Sequence, residues 1–455
     1  MAPPGSRNLS GGMFLMLKTL TLENFKSYRQ ARLPLVPLTV LIGANASGKS
    51  NAIEAMRLLS WLAQGQRLSS IQYTMQNGDR VLRGTVADLA LERGESFGLG
   101  AETTNREWNK LAMSLTHRAD GLHITAESLT HDGAVVPLYV LDQPSHDPGN
   151  DAGVAYNNFS KGRNKPHVTC SDQAAIFTQL TSPATFDAAH KTSRERIPPV
   201  VRQLEQWLSA MLFLDPVPAR MRDYSFPSDR VLQGDGRNLS AVLFGLWGTN
   251  QDDPSAHAAN RRDILGFIRS LPEQDIADLS FLEEPRGGVM VQLTETFGGR
   301  TRAYDASLLS DGTLRVLSVA AAMLSAAQGS LVVIEEIDNG VHPSRARRLL
   351  SGIRDIAERR NLRVLLSTHN PALLDALPDS ALPDVLFCYR DPQDGCSRIV
   401  RLQDVPDYPE LIAQDSLGGL VTSGALERFV KQPRTLDRQA LALEWLDNLK
   451  RGAGQ

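Results

Sequence analysis

The chain has 455 residues, 42% of them hydrophobic and 22% charged, with a formal net charge of -3. That length suffices for roughly two to four domain-sized units with substantial cores, while the near-neutral balance excludes attraction of polyanions by overall charge, so any nucleic-acid contact would need a local basic patch. Cys170, Cys388 and Cys396 have neither CxxC spacing nor an even number, which excludes a disulfide framework and a cysteine zinc site and fits a reducing cytoplasm.

Residues 1–12, with Pro3, Pro4, Gly5, Gly11 and Gly12, read as a flexible leader, and Phe14–Leu17 is too short for a signal segment. An N-terminal lobe over 13–142 begins with predicted strands at Leu15–Leu22 and Leu38–Ile42. The second strand runs into the glycine-rich run 43–50, and Ile53, Met56, Leu59 and Leu62 then recur with helical spacing. Short β-like runs through 97–142 predict an antiparallel sheet. Residues 143–275 are expected to form a loop, Gln143–Lys165, followed by a mainly helical insertion with helices around Val200–Leu214, Leu239–Trp247 and Arg262–Leu271. No heptad is sustained there, which excludes a long coiled coil.

A C-terminal lobe over 276–403 opens with a strand at Val289–Thr296 and then alternates helix and strand at 312–327, 330–335, 343–360 and 362–367, the pattern of a parallel sheet. Its longest apolar stretch, Val316–Ile334, is broken by Gln328 and Gly329, so it predicts a buried helix and strand and no membrane span. Residues 404–455 read as a helical tail, with Leu436, Ala440, Leu443 and Leu446 on one face.

Four motifs carry chemistry. Gly43-Ala44-Asn45-Ala46-Ser47-Gly48-Lys49-Ser50 sits between a strand and a helix, where backbone N–H groups cradle phosphates, Lys49 neutralises β/γ charge and Ser50 reaches Mg²⁺. A glycine turn without nucleotide is the bland alternative. Val332-Val333-Ile334 leads into Glu335 and Glu336; strand neighbours point to opposite sides, so the expected division places Glu335 towards Mg²⁺ and Glu336 towards the attacking water. Ser367-Thr368-His369 ends the next strand and would set His369 beside the γ-phosphate. Leu309-Ser310-Asp311-Gly312 precedes an apolar helix whose N-terminus favours an anion, against the plainer reading of a Ser/Asp cap. The arginines 345, 347, 348, 354, 359 and 360 surround an apolar helical stripe, either as a solvated basic face or as a DNA or partner contact.

Together these motifs resemble the ATP-binding-cassette ATPases, and within them the SMC-like and RecF-like branch. Leu22-Glu23-Asn24-Phe25-Lys26-Ser27-Tyr28, the phosphate loop with its trailing Asn51, and Asp235-Gly236-Arg237-Asn238-Leu239 carry the likeness. Ile334-Glu335-Glu336-Ile337-Asp338-Asn339-Gly340-Val341-His342-Pro343 and Ser367-Thr368-His369-Asn370-Pro371 are similar to segments of compact bacterial ATPases allied to the OLD (overcoming lysogenization defect) family. The resemblance covers 15–60 and 305–390. It implies an α/β fold: a two-lobed ABC/SMC-like P-loop head with a mixed sheet, a flanking antiparallel sheet and a mainly helical insertion.

The resemblance further implies ATP and Mg²⁺ as cofactors and ATP sites that form only when two heads meet, in a homodimer or higher homo-oligomer. Lys49, Ser50, Glu335, Glu336 and His369 would act from one subunit, Ser310 and Gly312 from the other. Lys26 would help hold the nucleotide, Asn339–His342 would link the two sites, and Gln179 is a candidate Q-loop glutamine whose other reading is a solvated helix residue. Asp311 and Thr313 depart from the transporter signature and point away from a transporter subunit. The implied function is an ATPase acting on DNA or on an effector, a nuclease or toxin encoded nearby, in anti-phage defence or genome maintenance. An ATP-gated scaffold with little turnover is the alternative.

Overall fold

The computed structural model describes residues 16–431 apart from 78–81, 106, 134, 147–148, 163, 249–253, 269–275, 339–342 and 406–407. The predicted leader, the segment 339–342 and the tail helix over 435–450 lie outside the described residues. In chain order, β1 (Leu17–Phe25), β2 (Tyr28–Pro34) and β3 (Leu38–Ile42) lead to α1 (Lys49–Ala63). Six strands follow: β4 (Ser96–Thr103), β5 (Lys110–Arg118), β6 (Gly121–Thr130), β7 (Tyr139–Gln143), β8 (Asp151–Tyr156) and β9 (His167–Ser171). Then come α2 (Lys191–Ser209), β10 (Leu212–Leu214), α3 (Leu239–Trp247), α4 (Pro254–Ile268) and the strands β11 (Ile276–Glu283), β12 (Val289–Phe297) and β13 (Arg300–Asp305). The chain closes its main body with α5 (Asp311–Ser325), β14 (Leu331–Ile334), α6 (Pro343–Arg359), β15 (Arg363–Ser367), β16 (Leu386–Arg390) and β17 (Ser397–Arg401).

Among the described residues the strands form three sheets. The core sheet has the order β10-β14-β15-β3-β16-β17, parallel throughout except for the antiparallel β16–β17 pair. An eight-stranded antiparallel sheet runs β2-β1-β4-β5-β6-β7-β8-β9, and β11, β12 and β13 make a small third sheet. Strand alternation divides the apolar core in two. Leu41, Val333, Leu365 and Cys388 face the cluster shared with α1, α2 and the antiparallel sheet, while Val40, Ile334, Val364 and Leu366 face the cluster shared with α3, α4, α5 and α6. Buried on both faces, β14 is apolar throughout, as expected of an interior parallel strand.

Two elements differ from the sequence reading. Leu212-Phe213-Leu214 is the edge strand of the core sheet, paired with Val332–Ile334, and not the end of a helix. The helix before it starts at Lys191 and passes through Pro198 and Pro199. A three-residue strand directly after a helix offers too few positions for its period to show. Within 143–275, β8 and β9 continue the antiparallel sheet, so this stretch is not a loop leading straight into helices. Ala152, Val154, Ala155 and Tyr156 are buried there, flanked by the turn formers that made the segment read as a loop.

The stripe on α6 is buried as predicted, at Ala346, Leu349, Leu350, Ile353 and Ile356. Its basic face is in part internally paired: Arg354 with Glu358 at 2.9 Å and Arg359 with Asp263 at 2.8 Å. Among the described residues no helix is long and apolar enough to cross a membrane.

Candidate nucleotide site

Register brings the carboxyl ends of β3, β14 and β15 level, because Ser367 pairs with Leu41 and Leu366 with Ile334. Ligands of parallel sheets bind at that edge. The loop 43–48 leaves β3 there with φ of 148° at Gly43, 63° at Ala46 and 116° at Gly48. A Cβ at Gly43 would collide with the Cys388 carbonyl, and one at Gly48 with Ser397 Oγ. The loop carbonyls turn into the protein: Ala46 O accepts from Arg390 Nε (3.1 Å), Ser47 O from Cys388 Sγ (3.2 Å) and Gly48 O from the Tyr28 hydroxyl (3.0 Å). In a trans peptide the N–H opposes the C=O, so the N–H groups of Gly48 and Lys49 face the other way, as an anion cradle requires.

Lys49 Nζ donates to the carbonyls of Gly43 (2.6 Å) and Ala44 (3.1 Å), and burial lowers its pKa. Ser47 Oγ is buried with no hydrogen-bond partner among the described residues. Asn51 Nδ2 donates to Ser27 Oγ at 2.7 Å, tying α1 to the β1–β2 turn. Lys26, in that turn, forms an ion pair with Glu54 and donates to Arg83 O at 2.8 Å.

A cavity of about 680 Å³ lies over the loop. Lys26, Asn45–Asn51, Glu335, Glu336 and Ser367–His369 all line it, which gathers most of the residues singled out in the sequence. The acidic pair reaches it differently from the strand alternation predicted above. β14 stops at Ile334, Glu336 adopts a left-handed φ of 47°, and its N–H donates to Ser367 Oγ at 3.2 Å. Both carboxylates therefore line one cavity. Their surroundings still differ: Glu335 accepts from Arg57 Nη2 at 2.6 Å, and that guanidinium lies 5.0 Å over the Phe213 ring.

The residues present fit a hydrated Mg²⁺, which takes one or two protein oxygens and completes its shell with water and phosphate. Ser50 and Glu335 line the same cavity, and among the described residues no cluster of three or more His, Cys, Asp or Glu offers another metal site. His369 is 54% exposed in its side chain, and its Nδ1 stands 3.8 Å from Asp338 Oδ2. Thr368 Oγ1 donates to the same carboxylate at 2.7 Å. Arg57, Arg83 and Arg390 were not singled out from the sequence, and Asp338 was quoted there without a role of its own. A signal existed for Arg57, which lies seven residues after Ser50 and so on the same helical face.

Other candidates lie elsewhere. Ser310 caps α5, its Oγ accepting from Thr313 N–H at 3.1 Å, and Asp311 pairs with Arg222 at 2.6 Å. Neither they nor Gly312 line the cavity or the larger cleft of about 980 Å³ beside it. Gln179 lines neither space and is half-buried: it accepts from Ser171 N–H at 2.8 Å and donates to Ser171 O at 2.7 Å and Ala174 O at 2.9 Å, closing the turn after β9.

Two family models match the chain: an AAA ATPase domain over residues 16–79, and an AAA domain described as "putative AbiEii toxin, Type IV TA system" over 172–375. DNA replication and repair protein RecF of Acaryochloris marina is 36% identical over 108 residues, 24% of this chain and 24% of that protein. RecF of Acidothermus cellulolyticus is 33% identical over 112 residues, or 24% of this chain and 29% of the relative. These matches support an SMC/RecF-like ABC-type ATPase. The match spans about a quarter of the RecF relatives' length. Solved structures similar to this chain include an Smc head bound to the C-terminal winged-helix domain of ScpA (13% identity, 85% of this chain and 97% of that one, TM-score 0.45). Another is the SMC head domain from Thermotoga maritima (14% identity, 85% and 98%, TM-score 0.36).

Proposed function

We propose that the chain binds ATP with Mg²⁺ and hydrolyses it, and that two copies must meet to complete each site. ATP-driven association of the heads then controls action on DNA or on a partner effector, in bacterial anti-phage defence or genome maintenance. The observation that carries this reading is the separation of the motifs. Lys49, Ser50, Glu335, Glu336 and His369 share one cavity, whereas Ser310 and Gly312 of the same chain lie outside it.

On this reading the loop N–H groups and Lys49 hold the phosphates, and Ser50 and Glu335 hold Mg²⁺, which supplies charge neutralisation on the transferring phosphoryl group. Glu336 takes the proton of the attacking water and His369 senses the γ-phosphate. Ser310 and the first turn of α5 reach the nucleotide of the second copy. RecF relatives favour work on DNA; the toxin named in the description of one matched model favours defence. Sizing the purified Glu336→Gln variant with and without ATP tests the core of the reading: it should assemble with ATP, and an unchanged size would count against it.

The toxin description also favours a second reading, an ATP-gated scaffold that sequesters a nuclease or toxin with little turnover. Pull-down of the neighbouring gene product, with and without ATP, supports it if capture depends on ATP; robust nuclease activity of the single purified chain refutes it.

A further inference from the structure

Arg222 stands on the segment that leaves β10, and its guanidinium grips the loop ahead of α5. Nη1 donates to the carbonyls of Ala306 (3.3 Å), Ser307 (3.1 Å) and Leu309 (2.6 Å), and Nη2 donates to Asp311 Oδ1 (2.6 Å). Every one of these acceptors lies within six residues that end beside Ser310 and Gly312. One planar fork serving three carbonyls and a carboxylate is a task that a lysine ammonium cannot reproduce.

The base from which Arg222 reaches is itself fixed. Met221 is buried beneath Gly236, which holds a φ of 79°. Ser225 exchanges backbone hydrogen bonds with Val289 at 3.0 and 2.9 Å, and its Oγ accepts from Ala241 N–H at 2.8 Å. Arg220 pairs with Asp235 at 2.6 Å. The loop's ends are held by Ala306 N–H donating to Val291 O (2.9 Å), by buried Ala306 and Leu309, and by the Ser310 cap, while between them it has only the turn on Asp305, which accepts from Leu308 N–H on its carbonyl (3.0 Å) and from Ser307 N–H on Oδ1 (3.0 Å). Leu308 is 68% exposed, so apolar burial does not hold the loop at its tip.

We propose that Arg222 is the positioning residue of the Ser310–Gly312 loop and fixes it in the shape that meets the nucleotide held by a second copy of the chain. The inference rests on the two-half-site reading above and adds to it the side chain that builds the half-site offered to the partner. Arg222 touches neither phosphate nor metal. It acts by holding the 306–309 carbonyls away from the partner's phosphates and keeping the first N–H groups of α5 presented.

The test is phosphate release by the full chain, for single variants and for pairwise mixtures. Arg222→Ala should lower kcat roughly tenfold to a hundredfold, the span of losing a charged hydrogen-bond donor, with KM for ATP unchanged; Arg222→Lys should recover part of it. Lys49→Ala disables the phosphate-holding half, so mixing it with Arg222→Ala should restore about a quarter of the wild-type rate, because half of randomly formed dimers are mixed and each carries one intact site. Ser310→Ala mixed with Lys49→Ala is the control. Recovery in the control without recovery in the Arg222→Ala mixture overturns the role of Arg222 and leaves the two-half-site reading standing. Recovery in neither mixture overturns that reading and this inference with it. If Arg222→Ala melts early, the Arg222→Lys mixture carries the same comparison.

Discussion

Arg57 and Glu335 stand 278 residues apart in the chain and are joined by a 2.6 Å hydrogen bond at the edge of the candidate site. The bond engages only Oε1, so it fixes the carboxylate rotamer while leaving the other oxygen for a metal-bound water. Partners of this kind orient a ligand without touching the metal, and their loss costs about tenfold to a hundredfold in metal affinity. Arg57→Ala should therefore raise the Mg²⁺ concentration for half-maximal ATPase by about tenfold and leave nucleotide retention in the absence of Mg²⁺ unaltered. A Mg²⁺ titration of phosphate release checks this; an unchanged midpoint would remove Arg57 from the site.

Beneath the phosphate loop, burial pushes the pKa values of Tyr28 and Cys388 up, so both remain protonated donors at neutral pH. Tyr28→Phe would leave the Gly48 carbonyl with only the Ala52 N–H (3.1 Å), at a cost of about 0.5–1.5 kcal/mol. The expected result is a Tm lower by several degrees, together with nucleotide affinity weakened several-fold, since the same carbonyl sets the orientation of the Lys49 N–H. Thermal melts and titration with a fluorescent nucleotide measure the two effects. A lower Tm with unchanged affinity would mean that the cradle keeps its shape without Tyr28.

The motifs were legible because each packs its chemistry into a few consecutive residues: a glycine-rich loop between strand and helix, an acidic pair after an apolar strand, a serine before an apolar helix. Fold class was legible for the same reason, since the buried parallel strands are mostly apolar, β14 without interruption and β3 broken only by Thr39. What the sequence hid was contributed across the chain. Arg57 becomes meaningful only once β14 lies beside α1, Asp338 only once β15 ends level with β14, and Arg390 only once β16 runs under the loop. Leu212–Leu214 was missed because three residues do not reveal a period, and Gln179 because a glutamine in a helical run carries no signal of the turn it closes.

Glu127 is wholly buried, with its carboxylate accepting from Ile176 N–H (2.8 Å), Phe177 N–H (2.9 Å) and the Tyr139 hydroxyl (2.8 Å). Desolvation nevertheless outweighs those bonds and raises its pKa from 4.5 to about 7. A carboxyl that holds its proton more tightly when folded contributes stability that is full below its unfolded pKa and is lost as pH rises towards its folded one. Wild-type stability should thus fall between about pH 4.5 and 7 from this group. Glu127→Gln cannot ionise and presents its amide N–H₂ to donors, so it should be less stable at pH 8 by about 1–3 kcal/mol, and the gap should widen at pH 5.5. Denaturant melts of both proteins at the two pH values decide it; an equal gap at both would place the Glu127 pKa near its ordinary value, and a gap that narrows at pH 5.5 would place it below.

Asp338 is nearly buried, with 6% of its side chain exposed, and it holds Thr368 directly while standing just beyond hydrogen-bond range of His369. If His369 works on the γ-phosphate, Asp338 contributes by fixing the Thr368–His369 turn, which Thr368 Oγ1 also braces by accepting from Asn370 N–H at 3.0 Å. Asp338→Ala should then lower kcat by about tenfold, the worth of one hydrogen bond to a charged group, without weakening ATP binding. His369→Ala should cost more, about a hundredfold. The double variant separates the routes: groups that act as a unit are not additive, so it should be no slower than His369→Ala alone. Losses that multiply would instead assign Asp338 a task of its own at the γ-phosphate side, independent of the histidine.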